Sequence, residues 1–160
     1  MKEIKLTKGQ VTIVDDADFP LVSSYHWQTL GSESGRFYAV RRRVTGQHCM
    51  MHRLLLDAPS TMRVDHRNGN GLDNRRDNLR FCTVAQNNAN SKLAQHNTTG
   101  FKGVGLARGG RRWRAYISYG DHYLHLGQYG TAREAALAYD WMARKLFGPF
   151  AKTNADLGLL

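Results

Sequence analysis

From Asp65 to Arg80 the chain reads Asp-His-Arg-Asn-Gly-Asn-Gly-Leu-Asp-Asn-Arg-Arg-Asp-Asn-Leu-Arg, and only Leu72 and Leu79 in it are apolar. Asn, Asp and Gly are turn formers, so the middle of the run, after His66, reads as a polar loop. Soon after it comes a second cluster of amides, Gln86-Asn87-Asn88. A simple polar turn accounts for Asn68 to Gly71, since Asn-Gly pairs suit hairpin loops. It does not account for the adjacent Asp65 and His66, or for the amides from Gln86 to Asn90.

An acidic side chain next to an imidazole, followed by amides, suits metal-assisted cutting of a phosphodiester. Hydrolysis needs a water relieved of its proton and a cation to neutralise the charge that grows on the phosphate and the leaving oxygen. Histidine titrates near neutrality and can take the proton. A carboxylate and an amide oxygen are hard ligands for Mg²⁺, or Mn²⁺, which keeps several waters and shares its shell with phosphate. Neighbours on an extended strand point to opposite faces, so Asp65 and His66 serve one site only where the strand ends and twists. The Gly-rich loop after His66 supplies that end.

Asp65-His66, Asn78 and Asn87 resemble the motif of the HNH, or ββα-metal, nucleases in the form found in phage and intron homing endonucleases, where the last histidine is an asparagine. The intervals of 12 residues from His66 to Asn78 and 9 from Asn78 to Asn87 match that pattern. The resemblance implies that His66 is the general base and that Asp65 and Asn87 hold the metal. It makes Asn78 the residue that fixes the loop. Met62 to Asp65 and Leu79 to Cys82 are then the two strands, and a helix runs from about Thr83, its N-cap, to Lys92. Met51-His52-Arg53-Leu54-Leu55 also recurs before the Asp-His pair in such nucleases, which makes His52 either a neighbour of the active site or a core histidine.

At 160 residues the chain holds one ordinary domain or two small ones. Its net charge of +10 and pI near 10.0 favour a polyanionic partner. The part after residue 90 carries +6 of that charge. No run approaches the roughly 18 apolar residues of a membrane span, and the amino terminus lacks the apolar centre of a secretion signal. The expected location is a cytoplasm, that of a bacterial host if the chain is phage-encoded, with no membrane partner. Cys49 and Cys82 are the only cysteines, so the four-cysteine zinc frame of some HNH nucleases is absent.

Toward the amino terminus, Ile4 to Leu6 and Val11 to Val14 read as a hairpin, and Asp15 to Tyr25 as a short helix interrupted by Pro20. Trp27 to Leu30, Phe37 to Val44 and Cys49 to His52 look extended, with a turn over Gly31 to Gly35. Arg41 and Arg43 share one face of the second of these strands, suited either to solvent or to phosphate.

Ser91 to Thr99 is polar and aperiodic, the natural linker, so the chain up to Lys92 is expected to fold with a complete metal site. Beyond it, Phe101 to Leu106, Arg112 to Tyr119 and Tyr123 to Tyr129 read as three strands. Alternation places Trp113, Ala115 and Ile117 on one face and Arg114, Tyr116 and Ser118 on the other. In the third strand Leu124 and Leu126 are expected inward, and Tyr123 and His125 outward. A helix opens at Thr131 with a capping box to Glu134 and ends before Gly148-Pro149. Its apolar residues, among them Leu137 and Trp141, are numerous enough to cover one face of the sheet, and its aromatic side chains are expected to pack in the core.

This second region resembles the Apetala-two type DNA-binding domain of plant ethylene-response factors, which is also found attached to mobile HNH nucleases. The resemblance rests on Gly100-Phe101-Lys102-Gly103-Val104, Trp113-Arg114-Ala115-Tyr116-Ile117, Leu126-Gly127-Gln128-Tyr129, Glu134-Ala135-Ala136-Leu137-Ala138-Tyr139-Asp140, Phe147-Gly148 and Asn154. It implies a three-stranded sheet lying in the major groove, with Lys102, Arg114, Tyr116, Ser118, Tyr123 and His125 at the contacting positions. Arg108 and Arg112 add positive charge beside that sheet. Ala107, Ser118 and His125 stand where plant members place arginines and tryptophans, so their target sequence does not transfer.

The expectation is therefore an α+β protein in three parts. Residues 1–90 are an HNH nuclease domain preceded by short strands, with its ββα core at about 62–92; 91–99 are a linker; 100–155 are a three-stranded antiparallel sheet on one helix. The expected function is metal-dependent hydrolysis of duplex DNA at a recognised site, leaving 5′-phosphate and 3′-hydroxyl ends. The partner is double-stranded DNA, with no obligate protein partner, and the protein acts as a monomer or homodimer. The rival reading is a non-catalytic DNA-binding regulator that kept the scaffold, which loss of Asp65, His66 or Asn87 would have favoured. An RNA-binding module fits less well, because the major groove of RNA is too narrow for a reading sheet.

Overall fold

Residues 1–31 and 35–160 are described by a computed structural model of the chain, which is α+β with several small antiparallel sheets and few helices. The turn expected over Gly31 to Gly35 falls largely outside the described residues. The chain divides into two compact units, Met1–Cys82 and Thr83–Leu160.

In the first unit, β1 (Lys2–Lys5) and β2 (Val11–Val14) form the expected hairpin, with Lys2 opposite Val14 and Lys5 opposite Val11. Helix α1 (Phe19–Ser23) carries Pro20 in its first turn rather than being interrupted by it, because a proline there lacks only an N–H that would have no helical partner. Strands β3 (Gln28–Gly31), β4 (Phe37–Arg42) and β5 (His48–Met50) follow one another as an antiparallel meander. The chain then turns helical in α2 (Met51–Leu55), where the pattern predicts continued extension. His52 therefore projects from a helix. Strands β6 (Arg63–His66) and β7 (Leu79–Cys82) pair antiparallel, with Asp65 opposite Arg80 and His66 opposite Leu79.

Leu6, Val14, Val22, Trp27, Ala39, Met51, Leu55 and Leu79 form the core of this unit, with Ile4 of β1 and Val64 of β6 packed against it. Trp27 is buried whole, and its indole N–H donates to the Val22 carbonyl at 2.8 Å, which satisfies its only polar atom. Arg53 ties down the approach to β6, donating to the carbonyls of Ala58, Pro59 and Met62.

The second unit opens with α3 (Val84–Ala89), capped by Thr83 in a reciprocal box with Gln86. It stops at Ala89, short of the expected Lys92. Strands β8 (Val104–Leu106), β9 (Trp113–Tyr119) and β10 (His122–Tyr129) form an antiparallel sheet in the order β8-β9-β10, and α4 (Ala132–Phe147) packs on one face. Ala135, Ala136 and Ala143 are almost fully buried there. Such small side chains let the helix sit close to the strands.

Three features depart from the pattern. Leu124 lies opposite the buried Ile117, on the inward face as expected, yet it is 37% exposed; the register shift, with Gly127 at φ 124°, comes only after His125. Leu137 and Trp141 lie on the solvent side of α4, with the Lys145 ammonium 5.0 Å from the centre of the Trp141 ring. The alanines, Tyr139 and Phe147 do the covering instead. Finally, Ala85 and Ala89 of α3 pack into the core built by Ile117, Tyr139, Ala143 and Phe147. The amide-bearing helix thus has its apolar contacts with the carboxy-terminal sheet and helix, which is why the units divide at Cys82 and Thr83 rather than after residue 90.

Lys102 strengthens that attachment. It is buried, and its ammonium donates to the carbonyls of Ala89, Ser91 and Lys152 at 3.0, 2.8 and 2.6 Å, closing the carboxy-terminal end of α3. Burial lowers its pKa to about 8. The expected linker is structured too: Asn97 accepts from the Thr99 and Gly100 N–H groups and donates to the Phe101 carbonyl. A chain ending at Lys92 would lose the core and the lysine that hold α3, contrary to the expectation that it folds with a complete metal site.

Candidate active site

Asp65 and His66 end β6, and both are buried. Arg80, across the pair on β7, donates to Asp65 Oδ2 from Nε at 2.9 Å and forms an ion pair with the same oxygen at 2.8 Å. Two guanidinium N–H groups thus converge on one oxygen of the carboxylate. The His66 ring stands edge-on to His52 at 4.9 Å between ring centres, and Tyr38 lies 5.8 and 5.9 Å from the two imidazoles. Packing by these rings sets the orientation of His66. Burial pulls the His66 pKa below its ordinary value, opposed by the Asn74 hydrogen bond and by the carboxylates of Asp65 and Asp73. The imidazole is then neutral at neutral pH, the form that can accept a proton. His52 is pushed down to about 3, by burial first and then by His66 and Arg53, so it stays uncharged.

The loop after His66 is held by its own polar side chains. Asn78 Oδ1 accepts from the Asn68 N–H at 3.0 Å, and its Nδ2 donates to the Asp73 carbonyl at 2.7 Å. One buried amide thus bridges the two halves of the loop. Asp73 accepts from Asn68 Nδ2 at 2.8 Å and pairs with Arg75 at 2.6 Å. Arg76 forks onto Asp18, and its backbone N–H donates to Asp15. Strand β2 seats the loop from below: Ile13 N–H donates to the Leu72 carbonyl and Asn74 N–H to the Ile13 carbonyl, at 3.0 and 2.9 Å.

A model of the HNH endonuclease family matches residues 57–89, the span from the approach to β6 through α3. An uncharacterized HNH endonuclease of Acanthamoeba polyphaga mimivirus is 30% identical over 149 residues, which are 92% of this chain and 76% of the viral protein. The chain belongs to the HNH endonuclease family. Protein 3.8 of Escherichia phage T7 is 33% identical over 60 residues, 38% of this chain and half of the phage protein. The ethylene-responsive transcription factor WRI1 of Arabidopsis thaliana is 42% identical over 59 residues, 36% of this HNH protein and 14% of the plant factor.

Within this family member, Asn87 sits on α3 in the second unit and is partly exposed, whereas Asp65 and His66 belong to the first. Among the described residues no three His, Cys, Asp or Glu side chains converge as a metal cluster. A carboxylate oxygen and an amide oxygen are hard donors, of a kind that suits a divalent cation completed by water and phosphate. Cys49 and Cys82 are free and buried.

The face of the β8-β9-β10 sheet away from α4 carries Gly105, Arg114, Tyr116, Ser118, Tyr123 and His125. Tyr116 and Tyr123 stack at 5.1 Å, and the Arg114 guanidinium lies 5.7 Å from the Tyr116 ring. Arg108 and Arg112 are exposed beside it, and Arg112 also donates to the Gln128 carbonyl at 2.9 Å. Lys102, expected on this face, is turned inward onto its three carbonyls. In the first unit the Arg41 guanidinium stacks 3.9 Å above the Tyr25 ring, while Arg43 is exposed. Sequence reasoning did not pick out Thr12, Asn74 or Arg80. For Arg80 the antiparallel register opposite Asp65 was a usable signal, but Thr12 carries none, since only the tertiary seat of the hairpin brings it to the loop.

Proposed function

We propose that this HNH endonuclease hydrolyses phosphodiester bonds of duplex DNA at a recognised site, in the manner of a homing endonuclease, with His66 as general base. The observation that carries this reading is the buried imidazole at the end of β6, held by aromatic packing next to a carboxylate that Arg80 clamps. His66 takes the proton of the attacking water, and Asn78 keeps the loop in place so that the imidazole does not drift. Asp65 and Asn87 are the protein's ligands for Mg²⁺ or Mn²⁺. The metal, when bound, neutralises the charge that develops on the phosphate and the leaving oxygen. The products are 5′-phosphate and 3′-hydroxyl ends.

The exposed sheet face supplies targeting. Arg114, Tyr116, Ser118, Tyr123 and His125 contact the major groove, and Arg108, Arg112, Arg43 and Arg41 contribute phosphate contacts. Similarity to part of a plant transcription factor supports this reading, as does the net charge of +10.

Asp65→Ala should reduce cleavage of a plasmid to background at ordinary Mg²⁺ while DNA binding persists. Undiminished cleavage would remove Asp65 from the metal site. Arg114→Ala should weaken specific binding by about 1–3 kcal/mol if its guanidinium reads a guanine, or lower the salt slope by about one if it meets a phosphate. An unchanged footprint and salt slope would make the sheet a solvated face.

A further inference from the structure

We infer that Thr12 and Asn74 are positioning residues that select the tautomer of His66, placing the proton on Nε2 and leaving Nδ1 as the basic nitrogen. The inference rests on the assignment of His66 as general base and adds the means by which its basic atom is chosen. It starts from the Thr12 hydroxyl, which has one hydrogen to give. That hydrogen goes to the Leu72 carbonyl at 2.7 Å. Toward Asn74 the hydroxyl can therefore only accept, and Asn74 Nδ2 donates to it at 2.7 Å. The amide is thereby oriented, so its Oδ1 faces His66 Nε2 at 3.3 Å. An amide oxygen only accepts, so Nε2 must carry the hydrogen.

Two further observations hold this relay in one state. Thr12 and Asn74 both have no solvent exposure, so water does not offer either an exchange partner. The backbone beside them is pinned as well, by the Ile13–Leu72 and Asn74–Ile13 hydrogen bonds that seat β2 on the loop. Rotating the Asn74 amide to favour the other tautomer would turn Nδ2 toward Nε2 and Oδ1 toward the threonine, which would have to withdraw its hydrogen from Leu72. The amino-terminal hairpin, more than 50 residues before the motif, thus takes part in defining the base.

The test reads the tautomer directly. In protein labelled with ¹⁵N at histidine, long-range ¹H–¹⁵N correlation at a pH where the imidazole is neutral distinguishes Nε2–H from Nδ1–H, and His66→Ala assigns the signal. The wild type should show Nε2–H. Thr12→Val, which keeps the shape and removes the hydroxyl, should shift population toward Nδ1–H and lower single-turnover plasmid cleavage about 10- to 100-fold with DNA affinity unchanged, the usual range for groups that orient a functional histidine. Thr12→Ser should restore both. Nδ1–H or an even mixture in the wild type overturns the inference, with no variant needed. An unchanged tautomer in Thr12→Val also overturns it, whatever happens to activity. If His66→Ala still cleaves, the base assignment fails, while the tautomer result stands or falls by itself.

Discussion

Replacing His66 by alanine should lower the rate of plasmid cleavage by roughly two to four orders of magnitude, the span contributed by a positioned general base. DNA affinity should be nearly unchanged, because the groove contacts proposed for targeting lie on the sheet of the second unit. His66 is buried against His52 and Tyr38, so alanine also leaves a void. His66→Gln keeps most of the volume and should fall as far. A rate within a few-fold of wild type in either variant would show that another group activates the water.

The largest effect on stability is expected at Gly103. Its φ is +68°, and an added methyl would overlap the Tyr139 ring and approach the Tyr116 carbonyl oxygen to 2.6 Å. Left-handed backbone costs an L-residue about 1–2 kcal/mol, and overpacking commonly adds about 1–3. Tyr139 is itself in the core with Ala89 and Phe147, so its ring must shift to admit the methyl. Gly103→Ala should therefore destabilise the second unit by about 2–5 kcal/mol, a large share of what a small domain has. Because α3 belongs to that unit, both DNA binding and cleavage should decline together. Gly109→Ala is the matched control, with φ +96° but open space around the added atom. Denaturant midpoints for the two variants check this, and a Gly103→Ala midpoint equal to wild type would contradict the packing described.

The parts of this molecule legible in its sequence are those set by local chemistry. Thr83 as an N-cap and Thr131 with Glu134 as a capping box announce two helix starts; both form, and Gln86 completes a box at the first as well. The spacing of Asp65, His66, Asn78 and Asn87 identifies the family, and the alternation in β9 gives its two faces. What stayed hidden depends on long-range packing. Whether Trp141 or Ala143 covers the sheet is decided by how close α4 approaches, which hydrophobicity does not report. Lys102 looks like a groove contact by position, yet the carbonyl end of α3 takes its ammonium. The helix bearing Asn87 looks like a continuation of the nuclease core, and only the burial of Ala85 and Ala89 shows that it packs with the second unit. Thr12 reaches the catalytic loop through a hairpin whose register no local pattern ties to that loop.

The central claim, that this chain is a metal-dependent DNA nuclease, is tested most directly by incubating the full-length protein with supercoiled plasmid and Mg²⁺, with and without EDTA, and resolving the topological forms. Conversion to nicked or linear DNA with Mg²⁺, absent with EDTA and absent in His66→Ala, is the predicted result. Plasmid that stays supercoiled while the protein binds it, or cleavage that EDTA does not suppress, would contradict the account, the first outcome pointing to a DNA-binding regulator on a nuclease scaffold.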